Sequence, residues 1–299
     1  MSSYLELTAR ERLASLFDEG SFEEFLPPSA RVVSPHLGQL DAPVAFDDGV
    51  AVGRALLKGQ PVFCAAQEGG FMGGAVGEVH GAKLTGLLRR AVIEKAHAVV
   101  LLAESGGVRL HEANAGLIAV SEVMRALLDA RAAGIPVIAL VGGSNGCFGG
   151  MGIIARCANA VVMSEEARLA MSGPEVIETA SGVEEFDSRD RALVWRTTGG
   201  KHRYLMGDCQ AIVADQVHAF RDAAVAAIAH SRAAGVELSL AALEAEQELL
   251  DQRIARFGGC ADPLDAWRAL GIPDPDAIPM MEAAAFADLA AAHKLGVAR

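Results

Sequence analysis

The 299-residue chain has few aromatic side chains, 5% in all, and no cysteine pair at CxxC spacing. Its five cysteines, Cys64, Cys147, Cys157, Cys209 and Cys260, lie too far apart for a zinc ribbon or a thioredoxin-like redox pair. Their odd number and wide spacing also argue against a disulfide framework. They read as reduced thiols, most of them small core residues. Basic charge is in deficit. Twenty-six Lys and Arg against 38 Asp and Glu leave a net charge of −12, a poor match for nucleic acid or an anionic membrane. No apolar run reaches the roughly 18 residues that a membrane-spanning helix needs. Residues Met1 to Glu6 have the form of neither a signal nor a transit peptide, so the expected location is the cytoplasm. A GxGxxG in its strand-to-helix setting and a GK[ST] P-loop are also missing, which removes the usual support for dinucleotide or nucleotide binding.

What remains is an apolar chain, 52% hydrophobic, whose core must come from aliphatic side chains and alanine. Its length suffices for one large domain or two small ones. No linker is evident, and residues 1–299 read as a single domain. Two N-terminal helices are expected within about residues 1–30. Thr8-Ala-Arg-Glu11 and Ser21-Phe-Glu-Glu24 both have capping-box form, with Gly20 and Pro27-Pro28 as stops. Val50–Leu57 and Pro61–Gln67 read as a hairpin. A pattern of buried strand, Gly-rich loop and helix then recurs. The strands are His97–Ala103, Pro136–Val141 and Ala160–Ser164, with another expected at Arg168–Ser172. Continuous apolar strands alternating with helices indicate an α/β fold with both sheet faces covered. A superhelical stack of ββα units fits the repeat, and a doubly wound Rossmann-like sheet is the rival. After a late strand at Gln210–Ala214 the chain is almost wholly helical. Residues of about 235–299 read as a helical extension packed on the core or on a partner.

Three loops open helices directly after strands: Glu68-Gly-Gly-Phe-Met-Gly-Gly74, Glu104-Ser-Gly-Gly-Val-Arg109 and Gly142-Gly-Ser-Asn-Gly-Cys-Phe-Gly-Gly150. For any one of them, tight strand–helix packing explains the glycines as well as ligand binding does. Together they suggest backbone amides that converge on one oxygen, an oxyanion hole.

At this point the residues resemble a known family. A strand ending in a Gly loop, followed by a strand–loop–Gly-Gly–helix unit, is similar to the oxyanion-hole segments of the crotonase superfamily. The order LTARERLASLFDEGSFEEF, EGGFMGG, ESGGVRLHE, GGSNGCFGG resembles the acyl-CoA carboxyltransferase branch over roughly residues 8–232. The chain departs from that branch in having one carboxyltransferase half and no N-terminal Cys₄ ribbon. The combination of loops is similar to the β subunits of biotin-independent malonate decarboxylases. The resemblance implies a crotonase-like fold and decarboxylation of a malonyl thioester to an acetyl thioester and CO2 through an enolate. It implies no directly bound cofactor and no metal, the substrate riding on the phosphopantetheine arm of a carrier protein. The implied partners are a related γ subunit, an acyl carrier protein subunit and an acyl-carrier transferase subunit. A biotin-dependent carboxyltransferase subunit is the alternative.

On that reading the catalytic amides are those of Gly106, Gly107, Gly149 and Gly150. Gly69, Gly70, Ser105, Arg109, Ser144, Asn145 and Cys147 are the expected substrate contacts. Arg109 and His111 have two readings each: carboxylate contact or protonation of the enolate, or else a solvated or interface charge. Cys147 has no His or Asp at a diagnostic spacing, which weighs against a nucleophile. His80 reads as a helix-surface residue. Glu68 and Glu104 read as acceptors for nearby backbone N–H groups. Lys83, Arg89 and Arg90, and Lys201, His202 and Arg203, are two basic clusters, either solvated faces or contacts for phosphates of a CoA-like arm.

Overall fold

A computed structural model describes residues 3–235 and 239–296. The chain opens with α1 (Ala9–Leu16). The Thr8 capping box forms as expected, the Thr8 hydroxyl accepting from the Glu11 N–H while the Glu11 carboxylate accepts from the Thr8 N–H. The second box does not form a helix. The Ser21 hydroxyl donates to the Asp18 carbonyl and accepts from the Leu56 N–H. The residues after it become a short strand, β1 (Glu23–Glu24), antiparallel to β2 (Val50–Leu57). Gly20 and Pro27 bracket six residues, too few to offset the cost of helix nucleation. A pairing edge on β2 is available to them instead. The expected pair of N-terminal helices is therefore corrected to one helix, one strand and a 3₁₀ turn at Pro28–Ala30.

β2 and β3 (Gln60–Gln67) form the expected hairpin. Lys58 and Gly59 supply the two left-handed residues of its turn, at φ 48° and 78°. There follow α2 (Glu78–Ile93), β4 (Val99–Ala103), α3 (Asn114–Ala132), β5 (Val137–Val141), α4 (Gly149–Cys157) and β6 (Ala160–Ser164). Next come α5 (Pro174–Ser181), α6 (Arg191–Thr198), α7 (Gly200–Leu205), β7 (Ala211–Val213) and α8 (Val217–Ala234). The chain ends with α9 (Leu240–Phe257), α10 (Pro263–Ala269) and α11 (Ala283–Ala290).

The seven strands form one sheet in the order β1-β2-β3-β4-β5-β6-β7, parallel from β3 onward. Every strand lies beside its sequence neighbour, so the order never reverses as it does in a doubly wound sheet. Side-chain alternation divides the core accordingly. Phe63, Ala65, Val99, Leu101, Val137, Ala139, Val161 and Met163 face α2, α3 and α4. Cys64, Val100, Leu102, Ile138, Leu140 and Val162 face α1 and α8. The crossover helices α2, α3 and α4 thus lie on one face, and with the unreversed strand order the Rossmann-like rival is excluded.

A second, shorter ladder runs past the C-terminal ends of the parallel strands. Single-residue parallel bridges join Val76 to Val108, Ser105 to Cys147 and Cys147 to Leu169. Each loop therefore carries the vestigial second strand of a ββα unit, and the superhelical stack is the observed arrangement. The strand expected at Arg168–Ser172 is reduced to two bridges, from Leu169 to Cys147 and from Arg168 to Gly199.

The C-terminal helices are not alike. Trp267 and Leu270 near α10, Ile278, and Phe286 and Ala290 of α11 share a buried cluster with Leu205, Met206 and Ile212 of α7 and β7. Helix α9 buries none of its residues and presents Leu240, Leu243 and Ile254 to solvent. Residues 236–238 and 297–299 of the expected extension lie outside the described residues.

Candidate active site

The loops that follow β4 and β5 meet at two glycines. A Cβ on Gly149 would stand 3.0 Å from the Gly107 Cα, and one on Gly107 would stand 3.5 Å from the Gly149 Cα. Gly149 has φ 53° and Gly107 φ 131°, so both the contact and the backbone conformation require glycine there. The structure thus brings together the two Gly-Gly pairs that the sequence singles out. It does not leave all their amides free. The Gly106 N–H donates to the Gly73 carbonyl at 2.8 Å, the Gly107 N–H to the Ser105 hydroxyl at 3.1 Å and the Gly149 N–H to the Met171 carbonyl at 2.9 Å. Among the described residues, the amides of Gly150 and Met151 in the first turn of α4 find no acceptor, and no side chain caps that helix. Orphan donors at a helix start are where developing negative charge is best stabilised.

A buried carboxylate holds this arrangement in place. Glu104, 4% exposed, immediately follows β4. Its Oε1 accepts from the Ser144 hydroxyl at 3.1 Å, the Asn145 N–H at 3.2 Å and the Asn145 Nδ2 at 3.3 Å. Its Oε2 pairs with the buried guanidinium of Arg12 from α1. Asn145 Nδ2 also donates to the Gly69 carbonyl at 2.9 Å. Ser144, Asn145 and Gly69 are therefore gathered as expected, but around a protein carboxylate. Glu68 accepts from the Gly70 N–H and from the Ala9 N–H at the start of α1. The expectation that both glutamates satisfy backbone N–H groups holds. The ion pair with Arg12 is additional, and only the fold reveals it, because 92 residues separate the partners. Ser105 is fully buried and braces the loop, its hydroxyl donating to the Gly107 carbonyl and accepting from the Gly107 N–H.

Three expected roles are corrected. Arg109 is 1% exposed, and its guanidinium binds both oxygens of Asp48, at 3.0 and 2.9 Å, Glu112 at 3.3 Å and two backbone carbonyls. It is a buried strut beneath the loop: both terminal nitrogens are taken up by the protein, and only the buried Nε has no partner. Cys147 lies in the core under α4, where burial pushes its thiol up to about 12. It is neither a nucleophile nor a pocket wall. His80 is fully buried beside Gln67 and the Asp48 carbonyl, not on a helix surface. Burial, followed by the charges of Arg109 and Lys83, pushes it down to about 3, so it is neutral. His111 is exposed, in accord with a solvated charge.

The basic clusters divide: Arg89 and Arg90 lie on a solvated helix face as one reading expects, whereas Lys83 is buried. Lys83 turns inward to the Asp47 and Val50 carbonyls, while Arg89 and Arg90 pair with Glu122 and Glu94. Lys201 donates to the carbonyls of Ile278, Pro279 and Met281, His202 accepts from the Trp267 indole, and Arg203 pairs with Asp208. No three His, Cys, Asp or Glu side chains gather as metal ligands among the described residues, and no helix there is long and apolar enough to cross a membrane.

A family model for the carboxyl transferase domain matches residues 5–224. The chain belongs to the carboxyl transferase domain family. It is similar to the malonyl-S-ACP:biotin-protein carboxyltransferase MADC of Malonomonas rubra, 45% identical over 240 residues that cover 76% of this chain and 75% of that protein. It is also similar to a chain in the crystal structure of a Pseudomonas malonate decarboxylase hetero-tetramer in complex with malonate. There the TM-score is 0.81 and the identity 40%, over 90% of this chain and 97% of that one. A chain of the Pseudomonas malonate decarboxylase MdcD-MdcE hetero-dimer matches with TM-score 0.66 and 38% identity, over 84% of this chain and 96% of that one. The carboxyltransferase, crotonase-like fold is therefore the fold of this chain, and the two Pseudomonas structures are of a hetero-tetramer and a hetero-dimer.

Proposed function

We propose that this carboxyltransferase domain is the decarboxylating subunit of a malonate decarboxylase, acting on a malonyl thioester carried by an acyl carrier protein. One observation carries the reading: the contact of Gly107 with Gly149 at the start of α4, beside the unpaired amides of Gly150 and Met151. When the carboxylate leaves as CO2, the electron pair of the breaking C–C bond passes to the α-carbon, and the thioester oxygen takes up the negative charge of the enolate. Amides fixed beforehand at that oxygen stabilise the charge with no reorganisation, and one such donor is worth about 10²–10³ in rate. Protonation of the α-carbon completes the acetyl thioester. The expected donors narrow accordingly, from four glycines to the first turn of α4, with Gly106, Gly107 and Gly149 shaping the loop.

The partners follow from the same reading: a related γ subunit, the acyl carrier protein subunit with its phosphopantetheine arm, and an acyl-carrier transferase subunit, all in the cytoplasm. Leu110, Leu117, Ile118 and Met171, each more than half exposed, flank the glycine loops. Such a rim is suited to being covered in an assembly. The chain alone is expected to be inactive or unstable. A biotin-dependent carboxyltransfer is the second reading, favoured by the 45% identity to the M. rubra protein. The test is to co-purify the chain with its genomic neighbours and follow CO2 and acetyl-thioester release from malonyl carrier protein. Release without biotin supports the decarboxylase. Carboxyl transfer that occurs only when a biotinyl protein is supplied supports the second reading. Full activity of the isolated chain would overturn the need for a partner.

A further inference from the structure

Two motifs that lie far apart in sequence, TARER at residues 8–12 and ESGG at residues 104–107, meet at one ion pair. We infer that Glu104, neutralised by Arg12, is the positioning residue that sets the register of all three glycine loops. This inference rests on the proposed decarboxylase reading for its kinetic consequences, but not for its structural ones.

Each loop touches Glu104 and has a glycine where it does. A Cβ on Gly69 or on Gly143 would collide with the Glu104 carboxyl group, and a Cβ on Gly74 would collide with the Glu104 carbonyl. Those three glycines belong to the first and third loops, so Glu104 occupies the volume their side chains would fill. Its carboxylate draws the third loop in through Ser144 and Asn145, and Asn145 passes the tie to the Gly69 carbonyl of the first. One residue on, the Ser105 N–H donates to the Gly146 carbonyl and the Ser105 carbonyl accepts from the Phe148 N–H. The separation of Gly107 from Gly149 is thereby fixed from the same point. Four donor groups converge on this buried carboxylate, three of them neutral. A neutral isostere has one acceptor oxygen, so it would set an amide N–H against either the Arg12 guanidinium or the donors of the third loop, and in both cases leave that cation buried without its counter-charge. Arg12 cannot swing out to water easily, because its other nitrogens donate to the Tyr4 and Leu5 carbonyls and its guanidinium lies 4.8 Å from the Tyr4 ring.

The role is exerted through the loops, so Glu104 moves no proton. Displacing an oxyanion donor by about 1 Å typically costs about 10²-fold in rate. Donors matched to the transition state affect kcat more than KM. The test uses the assembled complex carrying Glu104→Gln, with Asn145→Ala as a second variant that breaks the Gly69 tie while keeping the ion pair. Hydrogen exchange and steady-state kinetics are measured on the same preparations, well below the melting temperature. The expected result for Glu104→Gln is faster amide exchange in all three loops and a kcat lowered by about 10²-fold, with KM within a few-fold and an unshifted pH profile. Asn145→Ala is expected to loosen the first and third loops and to lower kcat less. Faster exchange confined to α1, or a kcat within a few-fold of wild type, would overturn the inference, as would a shifted pH profile, which would make Glu104 an acid or base. A wild-type complex inert toward malonyl thioesters would count against the decarboxylase reading. The exchange pattern would then still decide the role of Glu104.

Discussion

The pairs Gly106–Gly107 and Gly149–Gly150 look equivalent in the sequence, each a Gly-Gly step at the end of a loop. In the fold their four members have three different surroundings. Gly106 is exposed, and a Cβ on it would meet only the Gly73 carbonyl, at 3.6 Å. Gly107 and Gly149 press backbone against backbone at positive φ. Gly150 faces the core, where a Cβ would lie 2.7 Å from Val120 and 2.9 Å from Val108. The amides differ as well, since only that of Gly150 is without an acceptor among the described residues. The lesson is that a glycine's side-chain space and its N–H point in different directions. A substitution therefore tests packing at one position and chemistry at another.

Mutations can sharpen this contrast. The largest effect is expected for Gly149→Ala. A left-handed alanine costs about 1–2 kcal/mol, and its methyl would push Gly107 away. Decarboxylation should fall by about 10²-fold or more, and the melting temperature should fall with it, as single-turnover kinetics and calorimetry would measure. Gly150→Val comes next. Its side chain would be driven into Val108 and Val120 and not into a bound thioester, so the expected cost is about 1–3 kcal/mol of overpacking. Loss of activity should accompany loss of folded complex, and a variant that folds normally yet is dead would reverse that assignment. Gly106→Ala is expected to leave stability within about 0.5 kcal/mol, as for an ordinary surface change. A clear fall in turnover without a change in melting temperature would show that the exposed side of this loop faces the substrate.

The last effect is confined to acid pH. His80 and His202 are both pushed down to about 3 by burial. An unfolded histidine takes up its proton below about 6.5. Between that pH and about 3 the unfolded chain binds more protons than the folded one, so stability falls as pH falls through this window. Each such group contributes up to about 1.4 kcal/mol per pH unit there. His80→Gln should make the acid-side slope of stability shallower by that amount, read from denaturant unfolding at a series of pH values. An unchanged slope would mean that His80 is protonated in the fold.

Much of the architecture was legible because it depends on local patterns. The strands from β2 to β6 are apolar runs bounded by turn residues, and the Thr8 box caps its helix as it reads. Ser21 was misleading because a hydroxyl three residues before a glutamate serves a strand edge as well as a helix start. The meeting of Gly107 with Gly149 was legible only as a likeness to other proteins, since it needs two adjacent parallel strands to deliver their loops to one place. Arg109 misled for the opposite reason. An arginine after a glycine loop suggests an anion, but Asp48, 61 residues earlier, claims it. Charges buried by tertiary contact leave no local periodicity, which is also why the pairing of Arg12 with Glu104 emerged from the fold and not from spacing.

On the proposed function, the thioester oxygen of the substrate is held at the first turn of α4. A crystal structure of the assembled complex with a non-hydrolysable malonyl-thioester analogue tests it most directly. The analogue's thioester carbonyl oxygen is expected about 2.7–3.1 Å from the Gly150 or Met151 nitrogen, beside the contact of Gly107 with Gly149. An analogue bound elsewhere, with those two amides still unpaired and its oxygen on other donors, would contradict it.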